Sequence, residues 1–431
     1  MNTFIAQKYL ANHLVLLVGE NPIPNAVAAT CLVAPGGQIT LLHTAATEEV
    51  ANNLRRWIEN YPKNACVNYR KVDESEPASI YGVTQNILDN GPAGTVGLNY
   101  TGGTKSMSVH AYRAFDDWSA TNHATVVFSY LDARNLEMVI NLSEAGSILG
   151  AERVKIGREI SIPLDQMIAL RGWTFLQPPI MDPILPHTAA GLMELSLDPE
   201  TWKKWTETRK AFLSAFRVKD KGWFLPDHEL SDRLIFEKSD TFPPNLCQAL
   251  IDDGLDIETC TVHQAAEKAY GRNLSVHETP YQDVLKYFEG VWLESYCLSQ
   301  LLPLIEKGVL ESAMCNLVVE DPRFEIDIVA ICGYQLFVCS CTTIDKPDKK
   351  DKAELKQKLF EAYVRSRQLG GDEARVILVT LSNYPDEIEL EMSQFMGGQK
   401  LVGERRVKVF GRRQLKSLGE YIGQWIAKQA N

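Results

Sequence analysis

Asn99-Tyr100-Thr101-Gly102-Gly103-Thr104-Lys105-Ser106-Met107 is the stretch whose reading decides the fold of the first third of this chain. An apolar, strand-like run at 95–98 precedes it, and a helical pattern with Val109, Tyr112, Ala114 and Phe115 on its apolar side follows. A strand, a small-residue turn and a helix N-terminus together make an anion site. Free N–H groups and the positive end of the helix dipole converge there, and paired glycines let a phosphate reach the backbone. Lys105 adds a mobile cation, and Thr101 and Thr104 add hydroxyl donors. An ATPase P-loop requires Gly directly before Lys-Ser/Thr; Thr104 stands in that place, so this class is rejected. A tight strand-to-helix turn without a ligand is the plain alternative.

Working outward, residues 1–150 alternate strand-like and helix-like segments. Strands are predicted at 15–18, 38–43, 65–71, 95–98 and 124–130, and helices at 48–60 and 78–90, with Val50, Leu54 and Trp57 on one face. This rhythm predicts an α/β fold with a mostly parallel, doubly wound sheet. Ligands of such sheets sit beyond the carboxyl ends of strands, at a topological switch point. The loops at 19–25 and 99–105 both fall at carboxyl ends, which places them in one shared site. His43, Tyr130 and Asp132 lie at other strand ends and read as packing and turn residues.

Nine cysteines, an odd number at irregular spacing, speak against a disulfide framework, and no CxxC pair suggests zinc. No apolar run approaches the roughly 18 residues that span a bilayer, and residues 1–12 are too polar for a signal peptide, so a cytoplasmic location is expected. The net charge of −11, from 44 basic and 55 acidic residues, disfavours a surface that is basic all over. Any polyanion would have to be met by a local patch.

The stretch at 99–107 resembles the ligand loop of the CARF (CRISPR-associated Rossmann fold) family, which senses cyclic oligoadenylates. A second stretch, Val15-Leu16-Leu17-Val18-Gly19-Glu20-Asn21-Pro22-Ile23-Pro24-Asn25, is similar to the first strand and loop of the CARF subfamily that carries a C-terminal PD-(D/E)xK nuclease domain. The resemblance implies an N-terminal Rossmann-like ligand-sensing domain over 1–150, a helical middle region over 151–278, and a restriction-endonuclease-like α/β domain over 279–431. It further implies a homodimer around a cyclic oligoadenylate, most plausibly the tetra-adenylate. Lys105, Gly102, Gly103, Thr101 and Thr104 would hold phosphates, while Asn99 and the loop with Gly19, Glu20, Asn21 and Asn25 would address ribose or adenine. Ligand closure would then control the far domain in a type III CRISPR-type antiviral response.

The middle region is cut into short pieces by prolines, and its tryptophans suggest a compact helical spacer. Beyond it, Pro303 is expected to end a helix at about Leu302. The segments Gly290–Tyr296, Glu325-Ile326-Asp327 and Leu336–Thr343 resemble the helix and two motif strands of the PD-(D/E)xK fold. Asp327 and Glu294 match acidic positions that bind Mg²⁺ or Mn²⁺ in that family. Ser340 stands where the metal-binding Glu would be and Thr342 where the Lys would be, and neutral hydroxyls supply neither charge. Glu325, on the same strand face as Asp327, offers a second carboxylate, and Lys346, Lys349, Lys350 or Lys352 a migrated lysine. Cys339 and Cys341 share a strand face, as soft-metal ligands or as small buried hydrophobes. Arg405, Arg406, Arg412 and Arg413 form the densest basic cluster and the candidate nucleic-acid patch. Three outputs stay open: a domain that grips nucleic acid or protein without cutting, a metal-dependent DNA or RNA nuclease with a remodelled site, and slow cleavage of the ligand by the N-terminal site itself.

Overall fold

The computed structural model describes residues 5–60, 65–144, 147–148, 150–219, 221–237, 241–321, 323–345, 349–395 and 406–429. The first sheet holds β1 (Ala11–Leu17), β2 (Val33–His43), β3 (Cys66–Lys71), β4 (Val96–Asn99), β5 (Thr125–Asp132), β6 (Glu137–Glu144), β7 (Ser147–Ile148) and β8 (Glu152–Lys155). Its order is β3-β2-β1-β4-β5-β6-β7, with β8 also on β6. The five strands β1 to β5 run parallel, and β6 to β8 are antiparallel additions.

Alternation along β1 explains the layers. Leu14 and Leu16 face α1 (Ile23–Leu32) and α2 (Glu48–Glu59), while Val15 and Leu17 face α3 (Pro77–Asp89) and α4 (Lys105–Asn122). The doubly wound sheet expected from the sequence is therefore present. The chain order 3-2-1-4-5 puts the switch point between β1 and β4. The pattern at 19–25 predicts a loop; in the structure α1 starts at Ile23, with Pro22 and Pro24 at its head, where a missing N–H costs nothing.

The short α5 (Leu164–Arg171) leads into helices α6 (Pro186–Leu197), α7 (Pro199–Ser214), α8 (Asp227–Leu230), α9 (Pro244–Asp252), α10 (Val262–Tyr270) and α11 (Pro280–Lys286). A π-helical turn, Tyr287–Val291, then opens α12 (Trp292–Glu306). Pro303 does not end α12 as expected; it lies inside, one turn before the end at Glu306. Its missing N–H faces the Ser299 carbonyl, and the Ser299 hydroxyl is already turned inward to the Tyr296 carbonyl.

The second sheet has the order β13-β12-β11-β10-β9, from β9 (Ser312–Val319), β10 (Phe324–Cys332), β11 (Gln335–Thr342), β12 (Arg375–Thr380) and β13 (Val407–Phe410). The first three are antiparallel and the last two parallel to β11. Helices α13 (Lys349–Gly370) and α14 (Pro385–Phe395) cover one face, α12 and α15 (Leu418–Gln429) the other. The middle helices pack into the same apolar core as α12, α15 and the sheet beneath them, with Trp202 against Trp292 at 5.7 Å and Phe212 against Phe288 at 5.6 Å. The opposite face of this sheet joins α1, α2 and α5 in one continuous core. Among the described residues no helix is long and apolar enough to cross a membrane.

A polar joint crosses that core where the two sheets meet. Glu373, 1% exposed, receives the Asn21 amide at 3.5 Å, and the Gln335 and Arg375 side chains donate to its backbone carbonyl at 2.9 and 2.8 Å. Burial raises its carboxyl from the ordinary 4.5 to about 7. The folded state thus holds a proton that the unfolded chain releases above about 4.5. The stabilisation is complete below that pH and is lost as pH rises toward 7. Urea melts of the parent and Glu373→Gln at pH 5 and pH 7.5 should show the parent losing more stability across the interval; equal losses would refute the assignment.

Candidate functional site

The loops after β1 and β4 meet at the switch point. A Cβ added to Gly19 would lie 2.9 Å from the Gly103 nitrogen, and one added to Gly102 would intrude on the Leu17 carbonyl. Gly103 has φ 73°, a left-handed conformation that suits glycine. The two predicted stretches are therefore pressed backbone to backbone, as a shared site requires.

Polar side chains hold this crossing from below. Asn99 is fully buried; its amide donates to the Ser129 hydroxyl at 3.0 Å and its oxygen accepts the Thr101 N–H at 3.2 Å. Asn25, equally buried in the first turn of α1, donates to the Leu17 carbonyl at 3.0 Å. Neither amide reaches the surface, so the structure gives both the task of fixing loop shape. Thr101 Oγ1 accepts the Leu131 N–H at 2.7 Å, and Thr104 Oγ1 caps α4 by accepting the Met107 N–H at 3.2 Å. Both hydroxyls act there as acceptors, which leaves their own hydrogens to donate outward. The N–H groups of Lys105 and Ser106, in the first turn of α4, have no carbonyl one turn back within the helix. Lys105 is exposed, and Thr101 through Thr104 are partly so. The result is an accessible rim of amides, hydroxyls and one ammonium group at a helix N-terminus, suited to a phosphodiester.

Asn21 points elsewhere. Its oxygen accepts from Arg171 at 2.9 Å, and its amide turns to Glu373. Glu20 is exposed, and its carbonyl also accepts from Arg171, at 3.0 Å. His43 is buried, with Nδ1 on the Thr44 carbonyl at 2.9 Å, consistent with packing. Tyr130 joins Tyr100 at 5.6 Å and Tyr100 meets Tyr112 edge-on at 5.9 Å. This half-buried aromatic row beside the loop was missed in the sequence because its members lie on three different elements.

The second site is a cavity of about 540 Å³ between the middle helices and the C-terminal sheet. Tyr270, His277, Asp283 and Lys286 line it from one side, Glu294 and Glu325 from the other. The β9–β10 ladder pairs Ile326 with Leu317 and Ile328 with Cys315, and between them Asn316 takes φ 57° and also lines the cavity. Such a left-handed residue other than glycine is local strain of the kind found at functional sites. Asp327 Oδ2 accepts from the Ser340 hydroxyl at 3.0 Å and the Cys341 N–H at 2.8 Å. Burial raises the carboxyls of Glu294, Asp327 and Glu325, and Asp327 further raises the other two, while Lys358 on α13 favours the charged form of all three.

The sequence reading looked for a cation at 346–352. Lys346 lies outside the described residues, and the lysine acting on all three carboxylates is Lys358, one helical stretch later. Below Asp327, Cys339 and Cys341 turn toward α12, where Cys297 Sγ lies 3.6 Å from Cys341 Sγ, all three buried. Among the described residues no group of three or more His, Cys, Asp or Glu is arranged to hold a metal ion. With one oxygen of Asp327 already holding two donors and hydroxyls at 340 and 342, the residues present do not fit a divalent-metal centre.

The arginine cluster does not stay together either. Arg412 is corrected from surface patch to core: it is 2% exposed and donates to the Leu381 carbonyl at 3.1 Å, to the Ser196 carbonyl and to Asp345 at 3.4 Å. Its planar fork joins β13 to the end of α6, a use the sequence pattern does not announce. Arg406 turns to Asp372 at 3.8 Å, Arg413 is exposed beside Tyr384, and Arg405 lies outside the described residues.

With this geometry in place, comparison with known proteins is informative. Residues 13–151 match the family model of the Card1 CARF domain. That span contains both loops of the crossing. Over nearly the whole chain the fold is similar to protein VC1899 from Vibrio cholerae (TM-score 0.64, 14% identity, 97% of this chain and 98% of that one). It is similar also to Can2 from Sulfobacillus thermosulfidooxidans, solved in complex with cyclic tetra-adenylate (TM-score 0.61, 15% identity, 99% and 98%). At these identities the likeness is one of fold. No curated protein matches the sequence.

Thr104→Ala should cost about 1 kcal/mol through loss of the α4 cap, read as a lower urea midpoint at unchanged slope. An unchanged midpoint would show that the Thr104 hydroxyl does not hold this helix start.

Proposed function

We propose that the chain is a cyclic oligoadenylate sensor of type III CRISPR-type antiviral defence, in which the N-terminal site controls the C-terminal domain. The observation that carries this is the contact of Gly19 with Gly102–Gly103 at the β1/β4 switch point, with Lys105 and the start of α4 beside it. The Card1 CARF match over the same residues and the fold shared with a protein solved in complex with cyclic tetra-adenylate support that ligand class. Lys105, the Gly102–Gly103 backbone and the Thr101 and Thr104 hydroxyls hold phosphates; Asn99 and Asn25 keep the crossing in shape. A cyclic tetranucleotide has two-fold symmetry, so a homodimer presenting the same rim from each protomer suits it. Closure follows if the ligand binds the closed arrangement more tightly than the open one.

For the output, the reading is a domain that binds rather than cuts. Asp327 holds the Ser340 hydroxyl and the Cys341 N–H, and burial favours the neutral form of its neighbours. The cavity lined by Glu294, Glu325 and Lys286 then recognises its partner through hydrogen bonds and charge. The rival reading is a Mg²⁺- or Mn²⁺-dependent nuclease built on Asp327 and Glu294, for which the local chemistry is unfavourable.

Lys105→Ala should weaken cyclic tetra-adenylate binding by about tenfold or more in calorimetry, as expected for loss of a charge-assisted phosphate contact, with the melting temperature unchanged. Equal affinity would refute the assignment. With Mn²⁺ and cyclic tetra-adenylate present, neither DNA nor RNA should be cut; cutting by the parent that disappears in Asp327→Ala would establish the nuclease instead.

A further inference from the structure

Arg171 closes α5 and is half-buried where three parts of the chain meet. Its Nη1 donates to the Glu20 carbonyl at 3.0 Å, its Nη2 to Asn21 Oδ1 at 2.9 Å, and its Nε to the Leu369 carbonyl at 3.2 Å. Burial lowers the guanidinium only to about 10, so it stays charged at neutral pH. Asn21 completes the joint with its amide on Glu373, against Gly371 at φ 70°, a position where any Cβ would strike the Asn21 side chain. Neither Arg171 nor Glu373 belongs to a motif picked out in the sequence.

The placement gives this joint a direction. On one side, Glu20 and Asn21 follow Gly19, whose backbone touches the phosphate-loop glycines. On the other, Leu369 is the last residue but one of α13, the helix that packs on the C-terminal sheet carrying Asp327. A displacement of the Glu20–Asn21 turn must either pull the end of α13 with it or break hydrogen bonds to a half-buried cation. The second course gives up three charge-assisted hydrogen bonds, the costlier outcome. Apolar packing around the joint slides in small steps, whereas this fork has a made and an unmade state.

We propose that Arg171, through Asn21 and Leu369, is the positioning residue that transmits ligand binding at the N-terminal loops to α13 and so to the C-terminal sheet that α13 covers. The inference rests on the sensor reading above and deepens it. It differs from a merely structural role, which would lower stability equally with and without ligand.

The test uses the full chain, cyclic tetra-adenylate as the probe, calorimetry for binding and hydrogen exchange over residues 355–380 for transmission. In the parent, ligand should change exchange at the end of α13 by about threefold or more, within the usual size of coupling. Arg171→Ala and Asn21→Ala should still bind but lose that ligand-dependent change; Arg171→Lys should keep part of it, having the charge without the fork. Should Arg171→Ala fail to fold, Asn21→Ala, which leaves the guanidinium in place, decides the matter. Variants that bind and still show the parent's full response would overturn the proposal, as would a parent that binds with no response in α13. A parent that does not bind cyclic tetra-adenylate would instead bring down the sensor reading itself, and this inference with it.

Discussion

The backbone crossing of Gly19 over Gly102 and Gly103 is the constraint on which the rest of the molecule depends. Two parallel neighbours, β1 and β4, send their chains to opposite faces of the sheet, and the crevice left between them would be wide if either loop carried side chains at the crossing. Glycine closes it, and the surrounding polar groups then have defined tasks. Asn25 holds the β1 end, Asn99 the β4 end, and Thr104 starts α4 at the angle that aims its N-terminus outward. Lys105 is placed by these residues more than by its own contacts.

The C-terminal cavity works by a different balance. At the N-terminal rim, amides and an ammonium group wait in an accessible setting for an anion. In the cavity, carboxyls lie close together under partial burial, and mutual repulsion adds to desolvation in favouring their neutral forms. A divalent ion would reverse that balance only with ionised ligands around it, and one oxygen of Asp327 already accepts two donors. Cys297, Cys339 and Cys341 beneath add polarisable bulk rather than ligands, since they face α12 and the apolar core.

Much of this was legible before any coordinates. The strand and helix rhythm of the first 150 residues, the two loops at carboxyl ends and the small-residue turn before α4 rest on local patterns, and local patterns are what a sequence displays. What escaped reading depends on distant partners. Asn25 looks like a loop residue because Pro22 and Pro24 suggest a break, yet prolines at a helix head start α1. Pro303 ends a helix by rule but rides inside α12, whose surface is bound by packing on the sheet and α15. Arg412 reads as part of a basic run, and its acceptors lie 31, 67 and 216 residues away. Lys358 reads in the sequence as one lysine among many, and only the place of α13 in the fold brings its charge to bear on the three carboxylates.

The middle region changes meaning for the same reason. Read from its prolines and tryptophans it is a spacer, but a spacer has its own core and this region does not stand apart. Its aromatic residues interleave with α12, and its helices form one wall of the cavity whose other wall is the C-terminal sheet. The opposite face of that sheet is continuous with the core of the N-terminal sheet. Close-packed interiors transmit displacement but resist compression, so a signal between the two sites cannot be absorbed on the way by soft material. It has to appear as movement at the few polar joints that interrupt the apolar packing. The sheet-to-sheet joint at Glu373 is one of them, where the amide of Asn21, two residues after Gly19, meets the turn that follows α13.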